Sequence, residues 1–333
     1  MVSTLKAGLN TSALLKSVKR RALMPDNQNT FSDQDLIDFM NEEVMIGILP
    51  SVLQLKEEHF IFKEIIALVP EKSRYPVPER AIGNKLREVC FRDTASTNFN
   101  NEYEMTQIAI DDRYTGLSNG TGSSDFTGFR RFYMLGGDVV LHPNVGPTPY
   151  GALALYYYIR PNTIVKDSAV ASITAINRTT GEITLSSLPS GYSVYISGTN
   201  NTENTLFDFV KTKSPHTIID INIPITALNS STKTVTVIPS KIHADLEVGD
   251  YMPLAGQTAV PNIPTELHMV LAQRVAQRVL EAIGDTEGLN NANAKVAEME
   301  NKLSTMLDNR VEGAPRKVVN RALMTGVARN RRR

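Results

Sequence analysis

The chain has 333 residues, and its 35 Lys and Arg balance 35 Asp and Glu, so it carries no net charge. Hydrophobic residues make up 41% and charged residues 21%, ordinary globular values that exclude a disordered, collagen-like or disulfide-stapled chain. Cys90 is the single cysteine, so no intrachain disulfide can form, and uncharged apolar runs such as 151–159 fall short of the roughly 18 residues a membrane-spanning helix needs.

Residues 1–24 hold five basic side chains, Lys6, Lys16, Lys19, Arg20 and Arg21, and no acid. Basic residues following the apolar stretch reverse the order of a secretory signal, so a chain made in a reducing cytoplasm is expected, with a basic N-terminal arm over 1–30. A helix start is written at Ser32. Its hydroxyl can cap the free N–H groups, Asp35 stands three residues on in a variant of the capping box, and Asp33 suits the positive end of the dipole. Leu36, Ile37, Met40, Val44, Met45, Ile48 and Leu49 come next at three-to-four spacing, one stripe of an amphipathic helix that Pro50 must end or kink. Residues 51–58 can resume it. Residues 60–69, rich in aromatic and β-branched side chains and closed by Pro70, read as a strand.

From about 77 to 262 the period changes. Short alternating or β-branched runs recur at 105–110, 129–134, 138–142, 152–159, 172–176, 182–185, 193–196, 217–223 and 234–238, the texture of a barrel or sandwich. Residues 177–181 (NRTTG) read as a hairpin turn, and 117–128 (LSNGTGSSDFTG) as a flexible loop. After Pro264 the helical period returns. Leu267, Val270, Leu271, Val275, Val279, Leu280 and Ile283 mark one wide face until Gly284 stops the helix, and Ala292, Val296, Met299, Leu303, Met306 and Leu307 line one side of the next. A short turn makes these two helices antiparallel neighbours. The expected class is α+β: a helical bundle from 31–76 and 263–310 encloses a large inserted antiparallel β region, barrel- or sandwich-like, over 77–262, with extended basic termini. Length alone agrees with about two domains.

Residues 310–333 carry eight basic side chains against Glu312 alone, which leaves 22 basic and 34 acidic residues in the body between the two ends. Residues 329–333 can contact phosphate without sequence preference, yet no aromatic residue in 310–333 is available to stack on a base. Val311, Val318, Val319, Leu323, Met324 and Val327 interrupt the basic residues, which favours a segment docking on another protein over a free solvated arm.

Signs of catalysis are lacking. The five histidines, His59, His142, His216, His243 and His268, lie tens of residues apart without H-x-x-x-H or C-x-x-C spacing, so no metal and no cofactor is expected. No serine occupies a G-x-S-x-G elbow, and Cys90 in an apolar run reads as a packed thiol. The adjacent carboxylates Glu42 with Glu43 and Asp111 with Asp112 point to different faces and read as solvated surface. The expectation is a protein with no catalytic residue, not an enzyme.

In order and texture the chain resembles the head-to-tail connector, or adaptor, proteins of tailed bacteriophages. The resemblance is carried by SDQDLIDFMNEEVMIGILP, by YPVPERAIGNKLREV, by GDVVLHPN and GALALYYYIRP, by ITAINRTTGEITLSSLP and LEVGDYMPLAGQTAVPNIP, and by the paired helices that start at TELHMVLAQRVAQRVLEAIGD. It spans nearly the whole chain, and the β insertion exceeds what the smallest adaptors carry. The resemblance implies a homo-oligomeric ring of about twelve subunits beneath the portal protein, at the head–tail junction of the virion. Such a ring continues the DNA channel without sequence-specific binding, and presents the platform for further tail proteins, a tail tube or nozzle. It also implies a portal-docking tail made by Arg310, Arg316, Lys317, Val318, Val319, Arg321, Leu323, Met324, Arg329, Arg331, Arg332 and Arg333. The alternative from a different class is a receptor-binding or decoration-type tail protein whose β region recognises a surface.

Overall fold

The computed structural model describes residues 9–25, 30–93, 102–111, 131–142, 144–147, 149, 151–192 and 206–307. Helix α1 (Thr11–Arg21) occupies the span expected to be an extended arm. Asn10 caps it by accepting from the Ala13 N–H, and Leu14, Leu15 and Val18 form a buried stripe while Lys16 and Arg20 stay exposed. The basic residues are thus the outer face of a core helix. The expected cap opens α2 (Asp33–Glu42): the Asp35 N–H donates to Ser32 Oγ at 3.2 Å and the Ser32 N–H to Asp35 Oδ2 at 2.7 Å.

Pro50 neither ends the helical path nor simply kinks it. A wide π-helical turn (Glu43–Ile48), in which the Leu49 N–H reaches back to the Val44 carbonyl, precedes α3 (Leu49–Leu55), whose first turn accepts Pro50 because no N–H is required there. The last quarter of the chain is helical again, in α4 (His268–Ile283), closed by Gly284 at φ +81, and α5 (Thr286–Leu307). Helices α1 and α2 touch α4, and α5 packs along it. Leu14, Leu36, Met40, Val52, Leu271, Val275 and Leu307 belong to one buried cluster. Met45 and Ile283, expected on buried stripes, are instead exposed. No helix among the described residues is long and apolar enough to cross a membrane.

The strands are β1 (Ile61–Ala67), β2 (Arg74–Pro76), β3 (Ala81–Arg92), β4 (Glu102–Glu104), β5 (Thr106–Gln107), β6 (Arg131–Leu135), β7 (Asp138–His142) and β8 (Ala152–Ile159). They continue as β9 (Thr163–Ile164), β10 (Ala171–Asn177), β11 (Glu182–Leu185), β12 (Leu206–Val210), β13 (Ile218–Asn229), β14 (Thr234–Val237), β15 (Tyr251–Met252) and β16 (Gln257–Thr258). Two four-stranded sheets, β1-β8-β3-β4 and β2-β7-β6-β5, share a cluster containing Tyr75, Phe91, Leu141, Leu153 and Tyr157. Strands β10-β11-β14-β13-β12-β15 close an antiparallel barrel around Ile173, Ile183, Phe207, Ile225, Val235 and Met252. The β region begins before residue 77, since β1 pairs with β8 and β2 with β7. The expected strand at 193–196 and loop at 117–128 lie outside the described residues.

The barrel contains a duplication. Residues 173–185 (ITAINRTTGEITL) and 225–237 (ITALNSSTKTVTV) each form a hairpin with a register shift after the leading isoleucine. Thr174 Oγ1 donates to the Thr184 carbonyl and Thr226 Oγ1 to the Thr236 carbonyl, both at 3.0 Å. Asn177 Oδ1 accepts from the Thr179 and Thr180 N–H groups, and Asn229 Oδ1 from those of Ser231 and Thr232. Between the copies, Glu182 pairs with Thr236 and Thr184 with Thr234, while the equivalent residues Ile183 and Val235 pair with each other. That register places a two-fold axis between the hairpins.

Gly181 has φ +79, and an added Cβ would run into the Val237 carbonyl; its counterpart Lys233 adopts φ +54. Gly181→Ala is expected to lower stability by about 2 kcal/mol or more, whereas Lys233→Gly changes it by less than about 1 kcal/mol, because a lysine there already bears the left-handed backbone. Thermal denaturation of the two variants checks the contrast.

Candidate functional site

The twelve residues assigned to portal docking lie in 310–333, outside the described residues. The description ends at Leu307, a buried side chain on the wall of a groove of about 290 Å³. Val52, Leu267 and Val270 supply its apolar lining, and Gly47, Arg274 and Glu300 a polar flank. Helix α4 presents Arg274 and Arg278 one turn apart, towards the π-helical turn. Arg274 donates from Nη1 to Glu43 Oε2 at 3.2 Å and from Nε to Glu300 Oε1 at 2.8 Å, while Arg278 engages both Glu42 and Glu43. Gly47 leaves room for this pair, since a Cβ there would make the Arg274 guanidinium and the Glu43 carboxylate shift.

Glu43 therefore departs from the solvated surface expected of it: it is 7% exposed and bridges two arginines. Its partner in sequence, Glu42, stays exposed and pairs with Arg278 alone. Burial by itself would lower the Arg278 pKa, but the charges of Glu43 and Glu42 and their hydrogen bonds raise it. The signal visible in the sequence is two arginines four apart on α4.

A second polar cluster joins the sandwich to the barrel. Asp208, fully buried in β12, accepts on Oδ2 from Arg80 Nη1 at 2.6 Å, Asn162 Nδ2 at 2.8 Å and the Gly256 N–H at 2.9 Å, and on Oδ1 from the Asn222 N–H at 3.1 Å. Asn162 also holds Arg80 Nη2 and the Gln257 carbonyl. With both oxygens engaged, Asp208 acts as a strut and has no free base function. The adjoining cleft of about 540 Å³ is lined by Glu64, Arg80, Arg160, Thr163, Leu206 and Asn222. Burial raises the Glu64 carboxyl pKa, and likewise that of Asp220.

Cys90 is buried, and burial together with Glu88, Glu102 and Glu104 pushes its thiol up to about 11, so it is protonated at neutral pH. Among the described residues, no group of three or more His, Cys, Asp and Glu side chains could hold a metal ion. Asp111 is exposed, and Asp112 lies outside the described residues. No protein-family model matches this sequence, and no curated protein matches it.

Removing Glu43 would leave two partly buried guanidinium groups without their shared counter-ion. Glu43→Ala is expected to cost about 2 kcal/mol, below the full penalty for a buried pair because both arginines keep some water contact. Asp208→Ala also strands Asn162 and two main-chain donors, and is expected to cost about 3 kcal/mol or more. Urea unfolding midpoints measured at unchanged slope check both values.

Proposed function

We propose that this protein is a head-to-tail adaptor: a structural subunit, not an enzyme, that assembles as a ring of about twelve copies under a portal protein. Its ring continues the DNA channel and offers the platform on which further tail proteins, a tube or nozzle, assemble at the head–tail junction of the virion. The observation that carries this reading is that α1, α2 and α3, from the beginning of the chain, share one buried cluster with α4, from its last quarter. In the proposal the two chain ends build a helical bundle that encloses the β region, so subunits can stand side by side through helices while the β region faces outward.

Further features support it. Ile46 on the π-helical turn is 70% exposed, and Met269 and Ile283 on α4 are also exposed, apolar side chains available to a neighbouring subunit. The 22-residue α5 buries few of its described side chains and leads to the groove at Leu307, shortly before the basic and apolar segment 311–333 that the proposal takes as the docking tail. An acidic body suits a channel wall, since cationic side chains would hold DNA by releasing its counter-ions.

Native mass spectrometry of the full chain mixed with the portal protein of its own source tests the proposal. A complex with one copy per portal subunit is the expected result, lost when residues 311–333 are deleted. Undiminished binding by the truncated chain would remove the docking role from that segment. A stable free trimer that ignores the portal would overturn the adaptor reading in favour of a receptor-binding or decoration protein.

A further inference from the structure

Three of the five dispersed histidines converge where the barrel meets the helices. His268 opens α4, His216 lies in the β12–β13 connection, and His59 stands in the 3-10 turn (Glu57–Phe60) before β1. The His216 and His268 rings stack with centroids 5.3 Å apart and 28° between their planes, and each residue is 1% exposed. Leu9 donates its N–H to His268 Nδ1 at 3.0 Å, so that nitrogen carries a lone pair and the ring proton sits on Nε2. His216 Nδ1 faces the Lys211 carbonyl at 3.4 Å; a carbonyl only accepts, which leaves the lone pair on His216 Nε2. His216 Nε2, His268 Nε2 and Asn262 Oδ1 are all buried without a hydrogen-bond partner.

Other hydrogen bonds surround the stack. Asn262 Nδ2 donates to the His216 carbonyl at 2.8 Å, His59 Nε2 meets the Asn262 carbonyl at 3.2 Å, and Thr265 Oγ1 donates to Ser214 Oγ at 2.8 Å. We infer that the His216 and His268 stack is a proton-binding joint, whose protonation frees the start of α1 from α4 and the β12–β13 connection from the helices. A proton on His268 Nδ1 would set its N–H against the Leu9 N–H, replacing an acceptor with a second donor. The position also disfavours a cation, because His268 is the first residue of α4 and meets the positive end of its dipole. Protons on both rings would put two like charges at stacking distance inside the protein.

Around the stack, the Ile263 and Pro261 backbone favours a charged His268, and the other groups oppose it or are engaged elsewhere. His216 and His59 act on His268 as like charges, Leu9 brings only its N–H, and Pro261 and Ile263 bring main chain. In the β12–β13 connection, Lys211 pairs with Glu247 and Asp250, and Lys213 with Glu247. Asp167, which reaches the same chain start, is engaged by Asn10 and Ser12, and Glu266 is exposed. Burial first, then His216, brings the His268 pKa down to about 4 against weaker opposition from the Ile263 and Pro261 backbone, and burial also lowers that of His216.

Burial favours the neutral form of both rings while the joint is closed, and opening it would return each towards the ordinary value of 6.5. The closed joint is therefore fully favoured above that value. As pH falls towards the depressed values, each histidine makes opening up to tenfold easier per pH unit.

Amide hydrogen exchange of the full chain, corrected for intrinsic rates, reads this directly. From about pH 7.5 to about pH 5.5, protection over residues 9–21 and 211–217 is expected to fall roughly tenfold or more, while the barrel strands β11 and β14 hold theirs. His268→Gln keeps an acceptor for the Leu9 N–H but cannot titrate, so it should flatten the response at 9–21; His216→Gln should do so at 211–217. Equal protection at both pH values, or an unchanged response in both variants, would overturn the inference. If the variants do not fold, exchange of the imidazole C2 hydrogen in the wild-type chain decides: a His268 pKa well below 6.5 sustains the joint, and an ordinary one refutes it.

Discussion

Helix α4 is buried around most of its circumference. Val270, Leu271, Ala272, Val275, Ala276 and Val279 have almost no exposed surface, and no single neighbour can cover so wide a face. Burying each of its larger side chains is worth about 1.5–3 kcal/mol, so the free energy of covering the helix far exceeds the intrinsic propensity of any one helix around it. Helices α1 and α2 supply one side of that cover and α5 another, which forces the beginning of the chain to meet its last quarter. Ala272 and Ala276 add little bulk and let these neighbours approach closely.

Each body has an apolar core, and the contacts between bodies are mixed: Ile218 and Ile221 of β13 pack on the cluster shared by the two four-stranded sheets, beside polar clusters. The helical core gathers Leu36 and Leu271, that of the two sheets Phe91 and Tyr157, and that of the barrel Phe207 and Ile225. Asp208 with Arg80 fastens sandwich to barrel and stacked histidines stand where barrel meets helices, while Glu43 with Arg274 and Arg278 fastens the π-helical turn to α4 inside the helical body. Apolar contact rewards area without regard to direction, but a carboxylate that accepts four bonds from separate chain segments fixes one relative placement. The desolvation cost of such groups makes them poor sources of net stability and good sources of geometry.

Much of this architecture is legible in the sequence because it is written locally. The Ser32 and Asp35 box, the Gly284 stop, the wide face of α4 and the strands at 138–142, 152–159 and 182–185 depend on neighbours a few residues away. What escapes is set by distant partners. Strand β3 carries Lys85, Arg87, Glu88 and Arg92 along a largely exposed stretch, so its period is obscured until β8 pairs with it. Helix α1 is masked by its charge: Leu14, Leu15 and Val18 make a narrow stripe among Lys16, Lys19, Arg20 and Arg21. Glu43, Asp208 and the histidines look like isolated polar residues until the fold supplies their counterparts. Residues 310–333, whose docking role is read from their composition, lie outside the described residues.

The duplicated hairpin shows how one local pattern acquires two uses. Both copies keep the bulged strand, the asparagine turn and the threonine back-bonds, since these are internal to the unit. They differ where their surroundings differ. Arg178 in the first copy donates to the carbonyls of His243, Ala244 and Leu246 at 2.7, 3.0 and 2.8 Å, tying down the segment that leads to β15 and barrel closure. Its counterpart Ser230 is too short for such a fork. Gly181 is pressed against the Val237 carbonyl and Pro239, whereas Lys233, in the same backbone region, is exposed and extends to the Ser186 carbonyl at 3.1 Å. Each turn carbonyl accepts from the other hairpin, Gly181 from the Val237 N–H and Lys233 from the Leu185 N–H, both at 2.9 Å, but at Gly181 the main chain of Val237 comes so close that a Cβ would strike it, which is why glycine is obligatory at one and a lysine is tolerated at the other.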